Sequence, residues 1–244
     1  MQENVYREVG VDSRKFRRCF SLSLLLLASL ISGPKAAHAL FTPDIMIGYS
    51  QIVGTSFGHM DGRNTHQPAT GETVYLKRPT SGSGLALQLG FLEPDRYGWG
   101  IEMNLEYMTF QGRHADVPNS KPAMNTFTFN YGFRMLERVE PQIELGIGGG
   151  ASSTDMFISD GVRDATGELE NLDLNGRGVY GQGSLTYLAG NGFRMALSVW
   201  WRTTRFNKAS YTDWYQGDFY SEDLDLPPVW QHFLLFRLSL EGQF

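Results

Sequence analysis

The 244-residue chain lacks several features that would assign it to a common protein class. Its single cysteine, Cys19, allows neither a disulfide framework nor a paired thiol site. Its 21 basic residues are outnumbered by 26 acidic ones, which opposes nucleic-acid binding because that binding depends on neutralising phosphates. It has one long apolar run, Cys19–Ile31, and no sustained 3.6-residue period. A helical membrane protein and a mainly helical fold are therefore excluded.

The beginning of the chain has the pattern of a secretory signal. Arg17 and Arg18 close a basic stretch, the apolar run follows, and Ala37–Ala39 forms a small-x-small cleavage site. The run is shorter than the ~20 residues that span a bilayer, so a retained anchor is the less favoured alternative. The sequence predicts a cleaved signal peptide over 1–39 and one β-barrel domain over 40–244.

The last fifteen residues, Trp230–Phe244, alternate with a period of two. Every second position is mostly apolar and the positions between them are mostly polar, which is typical of a strand with one apolar face. Aromatic residues lie at both ends of the apolar stripe. A lipid-facing strand of a transmembrane barrel needs this arrangement, with aromatic girdles at both interfaces and a polar inner face.

The same period occurs in eight segments, which we expect to be strands. They are Asp44–Phe57, Ser83–Leu92, Tyr97–Gln111, Asn125–Leu136, Gln142–Ser153, Gly178–Leu188, Phe193–Arg205 and Trp230–Phe244.

The connections between these segments alternate in length. Short turns follow the second, fourth and sixth segments, whereas long polar stretches follow the first, third, fifth and seventh, at Gly58–Gly82, Gly112–Met124, Thr154–Arg177 and Phe206–Val229. All long loops then lie at one end. The pattern predicts an all-β fold, an eight-stranded antiparallel up-and-down transmembrane β-barrel. The alternative is a secreted jelly-roll or lipocalin-like barrel with an apolar interior.

The closing strand carries a family resemblance. With Phe236, Leu238, Leu240 and the terminal Phe244, it resembles the last strand of small eight-stranded outer-membrane proteins, which include the OmpA transmembrane domain, the OmpW type and opacity-type surface proteins. The resemblance implies a bacterial outer-membrane location with the long loops extracellular. It also implies that this strand is the assembly signal read by the barrel-insertion machinery. Membrane lipid and lipopolysaccharide are the implied surroundings.

The positions that would face the lumen include four acids and four arginines. These are Glu102, Glu106, Glu144, Glu241, Arg134, Arg194, Arg202 and Arg237. An eight-stranded barrel has an interior that side chains can fill, and unpaired buried charges are costly. We therefore expect these eight residues to pair into a plug. A narrow gated channel, in which the charges exchange partners, is the alternative.

The long loops offer candidate recognition residues. Trp214, Tyr215, Phe219 and Tyr220 lie among acidic residues, a composition that suits contact with an extracellular ligand or a host surface. The same aromatics could instead pack against other loops or rest at the lipid headgroups. The acidic stretch from Asp155 to Asp173 does not match a calcium-loop spacing. We expect no metal and no cofactor.

Catalysis is not expected from the sequence. His232 lies on the predicted lipid face near the outer rim, but its same-face neighbours are Trp230 and Leu234 rather than a serine. The predicted function is a surface barrel with a plugged lumen and a structural or adhesive role. A narrow pore for small or apolar solutes is the first alternative, and a lipid A-modifying enzyme is the second.

Overall fold

The computed structural model describes residues 44–60, 64–66, 73–92, 97–113, 123–163, 169–190, 192–215, 218–224 and 226–244. The predicted signal peptide and its cleavage site lie outside these residues. The described residues form eleven strands: β1 (Asp44–Gly58), β2 (Asn64–His66), β3 (Thr73–Tyr75), β4 (Arg78–Leu92), β5 (Tyr97–Arg113), β6 (Ala123–Glu140), β7 (Ile143–Arg163), β8 (Leu169–Gly190), β9 (Phe193–Tyr215), β10 (Asp218–Leu224) and β11 (Val229–Gln243). Within the described residues, no helix has the length and hydropathy to cross a bilayer.

Eight of these strands form a closed antiparallel ring. The hydrogen-bonded order is β1-β4-β5-β6-β7-β8-β9-β11, and β11 pairs back onto β1. Backbone bonds of 3.1 and 2.9 Å between Ile45 and Phe244 complete the closure. We call the end that holds Asp44 and Gln243 the closing end, and the opposite one the hairpin end. The eight-stranded prediction is confirmed.

The outer wall of the ring is apolar. On β6, Phe127 to Met135 place every second side chain outward, and the residues between them are buried in the interior or glycine. Leu87 is 62% exposed and Leu197 is 55% exposed, although both lie in the middle of their strands. A soluble barrel would turn such residues inward, so this surface requires a nonaqueous surrounding.

This apolar belt has the height of a membrane barrel. The eight steps from Phe127 to Met135 cover roughly 27 Å along the strand, or about 20 Å along the axis at a tilt of ~40°. Exposed aromatic residues mark both edges. They are Phe57, Tyr107, Phe127, Trp201 and Trp230 toward the hairpin end, and Trp99, Tyr187, Phe193 and Phe244 toward the closing end. The fold is a transmembrane β-barrel, and the jelly-roll or lipocalin-like alternative is wrong.

Three of the predicted long loops are wrong in large part, because the strands continue through them. Strands β7, β8 and β9 contain 21, 22 and 23 residues, so that most of Thr154–Arg177 and much of Phe206–Val229 is sheet. Part of Gly58–Gly82 also forms β2, β3 and the start of β4. The two-residue period persists there with the opposite polarity. On β7, Asp155 faces outward while Met156 and Ile158 are buried inside.

The extended strands enclose an apolar core of their own. Ile158, Leu172 and Phe206 are buried within it, and β3 adds Val74, which pairs with Val162 of β7. Above the belt the outside of the wall meets water, so burial there favours apolar residues inside. The barrel is thus apolar on its outer surface in the belt, and apolar in its interior where the strands extend beyond the belt.

Candidate functional site: the barrel lumen

Near the closing end, a cluster of ion pairs fills the lumen. Arg134 contacts Glu241 at 3.1 Å, and Arg194 contacts Glu144 directly and Glu241 at 3.7 Å. Arg138, which is half exposed, contacts Glu144 at 3.1 Å from the rim. Because β6 and β11 are four places apart in the ring, the contact between Arg134 and Glu241 spans its full width.

A second cluster lies at mid-barrel around one carboxylate. Both oxygens of Glu106 are used: Oε1 accepts from Nη1 of Arg202 at 2.7 Å, and Oε2 accepts from Nη2 of Arg237. All three side chains are at most 1% exposed. Glu106 is on β5 and Arg202 is on β9, directly across the ring. One acid therefore joins β5 to the paired strands β9 and β11, neither of which pairs with β5.

Glu102 differs from the expectation that the four acids pair with the four arginines. It is fully buried but forms no ion pair with a described residue, and three neutral donors bind it instead. Tyr180 Oη and Gln88 Nε2 donate at 3.1 and 3.2 Å, and Gln182 Nε2 also donates. The polar positions of β4 and β8 thus replace an arginine, which the count of charges alone could not indicate.

Aromatic rings lie directly against the mid-barrel arginines. The Arg237 guanidinium is 3.6 Å from the ring centre of Trp200, which stacks on Tyr180 at 4.7 Å. The Arg202 guanidinium is 4.5 Å from the Phe233 ring. Sequence analysis did not single out these inward aromatics. The signal was present in the large apolar residues at lumen-facing positions of β9 and β11.

Apolar layers lie on both sides of the charges. Toward the closing end, Met46, Leu92 and Leu136 form a small buried cluster. Toward the hairpin end, a larger buried cluster continues from Ile52 and Phe233 into the core of the extended strands. The mid-barrel ion pairs of Glu106 therefore lie between two apolar clusters, whereas the ion pair of Arg138 and Glu144 reaches the rim of the closing end.

Glycine makes room for this filling at one position in particular. A Cβ on Gly132 would lie 2.2 Å from the carbonyl oxygen of Gly149 and 2.7 Å from Tyr180 Oη. Any larger residue there would displace the wall or the tyrosine that binds Glu102. Gly132 on β6 thus leaves the space that the Tyr180 side chain of β8 occupies.

The remaining predicted site residues are distributed over the outer surface. Phe236, Leu238 and Leu240 project outward from β11 and are about half exposed, and Phe244 is 78% exposed beside the closing seam. Trp214 and Tyr215 end β9, and Phe219 and Tyr220 begin the paired strand β10. The side chains of these last four residues lie outside the described part of the structure.

His232 has a hydroxyl partner that the sequence did not indicate. Its Nδ1 lies 2.9 Å from Thr203 Oγ1, because β9 and β11 place these two residues directly opposite each other. Thr203 Oγ1 also accepts from Trp201 Nε1 at 3.2 Å, and the imidazole lies 5.4 Å from the Phe57 ring. The neighbours of His232 along β11 do not indicate this partner, because Thr203 lies on the adjacent strand β9. The pair nevertheless lies among the aromatic residues at the hairpin-end edge of the apolar belt.

The acidic stretch of the third connection is largely strand rather than loop. Asp155 faces outward on β7, where its carboxylate accepts from Asn175, and Asp173 lies on β8. Across the described ranges, no three His, Cys, Asp or Glu side chains are grouped closely enough to hold a metal ion.

Comparisons with known proteins give likeness in structure only. No protein-family model and no curated protein matches the chain. The outer membrane protein OprG from Pseudomonas aeruginosa matches 83% of this chain and 96% of its own, with 13% identity and a TM-score of 0.48. Ail, the attachment invasion locus protein of Yersinia pestis, matches 83% and 97%, with 11% identity and a TM-score of 0.44.

An enzyme also occurs among the matches. The outer membrane protease OmpT from Escherichia coli covers 83% of this chain and 96% of its own, at 10% identity and a TM-score of 0.39. These sequence identities are too low to assign the activity of any of the three proteins to this chain. The fold is assigned from the closed ring of paired strands and from the apolar belt on its outer surface. The chain is an eight-stranded antiparallel transmembrane β-barrel, the architecture of the small outer-membrane proteins that its last strand resembles.

Proposed function

We propose that this protein is an outer-membrane surface barrel with a sealed lumen, and that its hairpin end makes contacts outside the cell. The observation that carries the sealed lumen is the burial of Glu106, Arg202 and Arg237 between two apolar layers. Buried charges of this kind are tolerated when they are paired and hydrogen-bonded. In this proposal the barrel is a rigid anchor, and its functional surface lies above the membrane.

The proposed orientation follows from the strand lengths. The first and last strands of the ring begin and end at the closing end, where described connections are short. Strands β7, β8 and β9 continue past the belt at the other end. Export followed by insertion leaves both termini on the side of entry, and outer-membrane barrels have their longer connections outside. The hairpin end is therefore proposed to be extracellular.

The proposed seal opposes the alternative of a narrow pore. A water-filled path needs a continuous line of polar groups, and the large cluster around Phe110 and Phe233 interrupts that line. Phe110 on β5 and Phe233 on β11 are both buried inside the barrel, and their ring centroids lie 5.8 Å apart. Opening a path would require these aromatics and the cross-lumen ion pairs to separate together.

Single-channel recording tests the seal. We expect refolded protein in a planar bilayer to give no discrete current steps, because no polar path crosses the apolar layers. A porin in the same bilayer is the positive control, and a mobility shift on boiling verifies that the barrel is folded. Steps whose size changes in R202Q would establish the pore and remove the proposed seal.

The recognition surface is proposed to be the β9–β10 hairpin, with Trp214, Tyr215, Phe219 and Tyr220 as its contact residues. The backbone register pairs Trp214 with Phe219, which brings aromatic positions of both strands together at the hairpin tip. Aromatic residues are enriched in binding hot spots. The tip belongs to a hairpin whose base is anchored, since Tyr211 and Leu224 are buried in the apolar core.

Replacement of the hairpin tip tests this surface. Residues 212–221 are exchanged for a short Gly/Ser turn, which leaves Tyr211 and Leu224 in place. We expect at least a tenfold loss of binding to whichever immobilised glycan or matrix protein the unaltered protein binds in nanodiscs, because hot-spot contacts are worth roughly 2 kcal/mol or more. The matched control exchanges residues 164–168 between β7 and β8. Equal losses in both variants would contradict the assignment of the contact to this hairpin.

A further inference from the structure

The outer wall just above the apolar belt carries a groove that neither the lumen nor the hairpin tip explains. It has a volume of about 400 Å³ and crosses β5, β6, β7 and β8. Three aromatic rings line it, and so do four polar side chains, those of Asn125, Asp155, Asp173 and Asn175. A few polar groups placed among aromatic side chains are typical of a site for a small ligand. Their position on the outer wall excludes a ligand that enters through the lumen.

The strand register places these groups in two neighbouring rows. The row nearer the membrane contains Tyr107, Phe127, Asp155 and Asn175, and the row above it contains Asn125, Phe157 and Asp173. Asp155 and Asp173 are diagonal neighbours on β7 and β8, a position at which Cβ atoms lie roughly 7–8 Å apart. Phe157 is adjacent to both, because it follows Asp155 by two residues and pairs with Asp173. The groove therefore presents two separated carboxylates beside one ring.

Hydrogen-bond acceptors dominate the polar part of the groove. Asn175 donates its amide to one carboxylate oxygen of Asp155, which leaves the other oxygen of Asp155 and the Asn175 carbonyl as further acceptors. Asp173 adds a second carboxylate, and the Asn125 oxygen already accepts from Thr109 Oγ1 at 2.9 Å. The formal charge of the lining is −2, since it contains two carboxylates and no basic side chain. A ligand that carries N–H donors and positive charge complements these groups, whereas an anion does not.

The surrounding wall supplies no direct counter-ion for Asp155. Among the described residues, this carboxylate forms no ion pair. The nearest cations in register, Arg177 and Lys208, lie beside the groove and are not part of its lining. Within the described ranges no third acid or histidine joins the two carboxylates, so the ligand set for an inorganic cation is incomplete. Aromatic faces attract organic ammonium groups, and this groove has three such rings.

We infer that this groove binds a short aliphatic diamine, a cation of the polyamine class. One ammonium group donates to Asp155 and to the Asn175 carbonyl, and the other donates to Asp173. The methylene chain that joins them lies against the Phe157 ring, which also attracts both charges. Charge-assisted hydrogen bonds of this kind are about twice as strong as neutral ones. The inference goes beyond the sealed lumen and the hairpin contact, and it depends on neither.

The test is isothermal titration calorimetry of the folded full-length barrel in a nonionic detergent, with putrescine as the probe. We expect putrescine to bind about tenfold more tightly than butylamine, which has the same chain but only one ammonium group. D155N and D173N should each weaken putrescine binding about tenfold, because each removes a charged acceptor. F157L keeps an apolar side chain without the ring and should weaken it about threefold.

The matched control is D223N, which removes the same charge from an exposed position of β10 outside the groove. It should leave putrescine binding within about twofold, because exposed charges at a distance are screened. Unboiled gel mobility verifies that each variant is folded. The groove variants leave the β9–β10 hairpin unaltered, so their failure is distinguishable from failure of the hairpin contact.

Each other outcome overturns the inference. Equal losses in D223N and D155N would mean that only overall charge matters. Equal binding of putrescine and butylamine would remove the paired contact, and displacement by equimolar calcium would leave an inorganic cation site. Loss of putrescine binding in nanodiscs that contain phosphatidylethanolamine would mean that a lipid headgroup occupies the groove. No putrescine binding to folded protein, by calorimetry and by native mass spectrometry, would remove the site.

Discussion

Replacing Glu106 with glutamine is expected to lower the free energy of unfolding by about 3–5 kcal/mol. The carboxylate binds both Arg202 and Arg237, and all three side chains are buried. Glutamine has nearly the same shape, so the loss is electrostatic: two guanidinium groups remain in the lumen with no counter-ion. Neither can reach water without displacing the aromatic residues that cover it.

The measurement is urea unfolding of the barrel in lipid vesicles, followed by tryptophan fluorescence. The matched control is E137Q on β6, which removes the same charge from an exposed rim position. A surface change of this kind alters stability by ~0.5 kcal/mol or less. A loss below about 1 kcal/mol in E106Q would mean that water screens the mid-barrel charges, and would favour the pore over the seal.

Substituting arginine for Leu197 is expected to destabilise the barrel by about 2–4 kcal/mol in a bilayer. Leu197 lies midway along the belt on β9 and is 55% exposed. In water such an exposed position would tolerate arginine with almost no change. The two environments therefore predict different results for one substitution, and the size of the effect reports the solvent that this face meets.

The matched control for L197R is S83R, on β4 two residues beyond the last belt leucine, Leu85. At the interface the arginine can reach the headgroups, and the loss should fall to ~0–1 kcal/mol. The same vesicle unfolding assay applies to both variants. Equal small losses at the two depths would contradict the assignment of the belt to the membrane interior.

The strands within the membrane could be predicted because one rule applies along their whole length. Apolar side chains face lipid at every second position, so the pattern identifies both the strand and the direction of its faces. The same rule failed beyond Thr154, where Asp155 faces outward and Met156 inward. Strand geometry continues there, but the solvent changes. A test for lipid-facing alternation therefore interprets the continuing strand as a polar loop.

The lumen was predictable in its composition and not in its contacts. Arg134 and Glu241 are 107 positions apart, and Glu106 and Arg202 are 96 apart. Which of them meet depends on the stagger between strands that are four places apart in the ring, and this stagger accumulates over every intervening pair. The capture of Glu102 by Gln88, Tyr180 and Gln182 is a consequence of the same stagger. Sequence periodicity gives the face of each strand but no height relative to distant strands.

The seam between β1 and β11 also has a consequence for assembly. Ile45 exchanges two backbone bonds with Phe244, so the ring is complete only when the two ends of a stretch of about 200 residues meet. Until then β1 and β9 each present a row of unbonded amide groups, and each such group is costly in hydrocarbon. An incomplete sheet with two open edges is therefore unstable inside a bilayer. We therefore expect insertion and closure to occur together, late in assembly. A chain truncated before β11 is expected to form no stable barrel in the bilayer, because the edges of β1 and β9 stay unpaired.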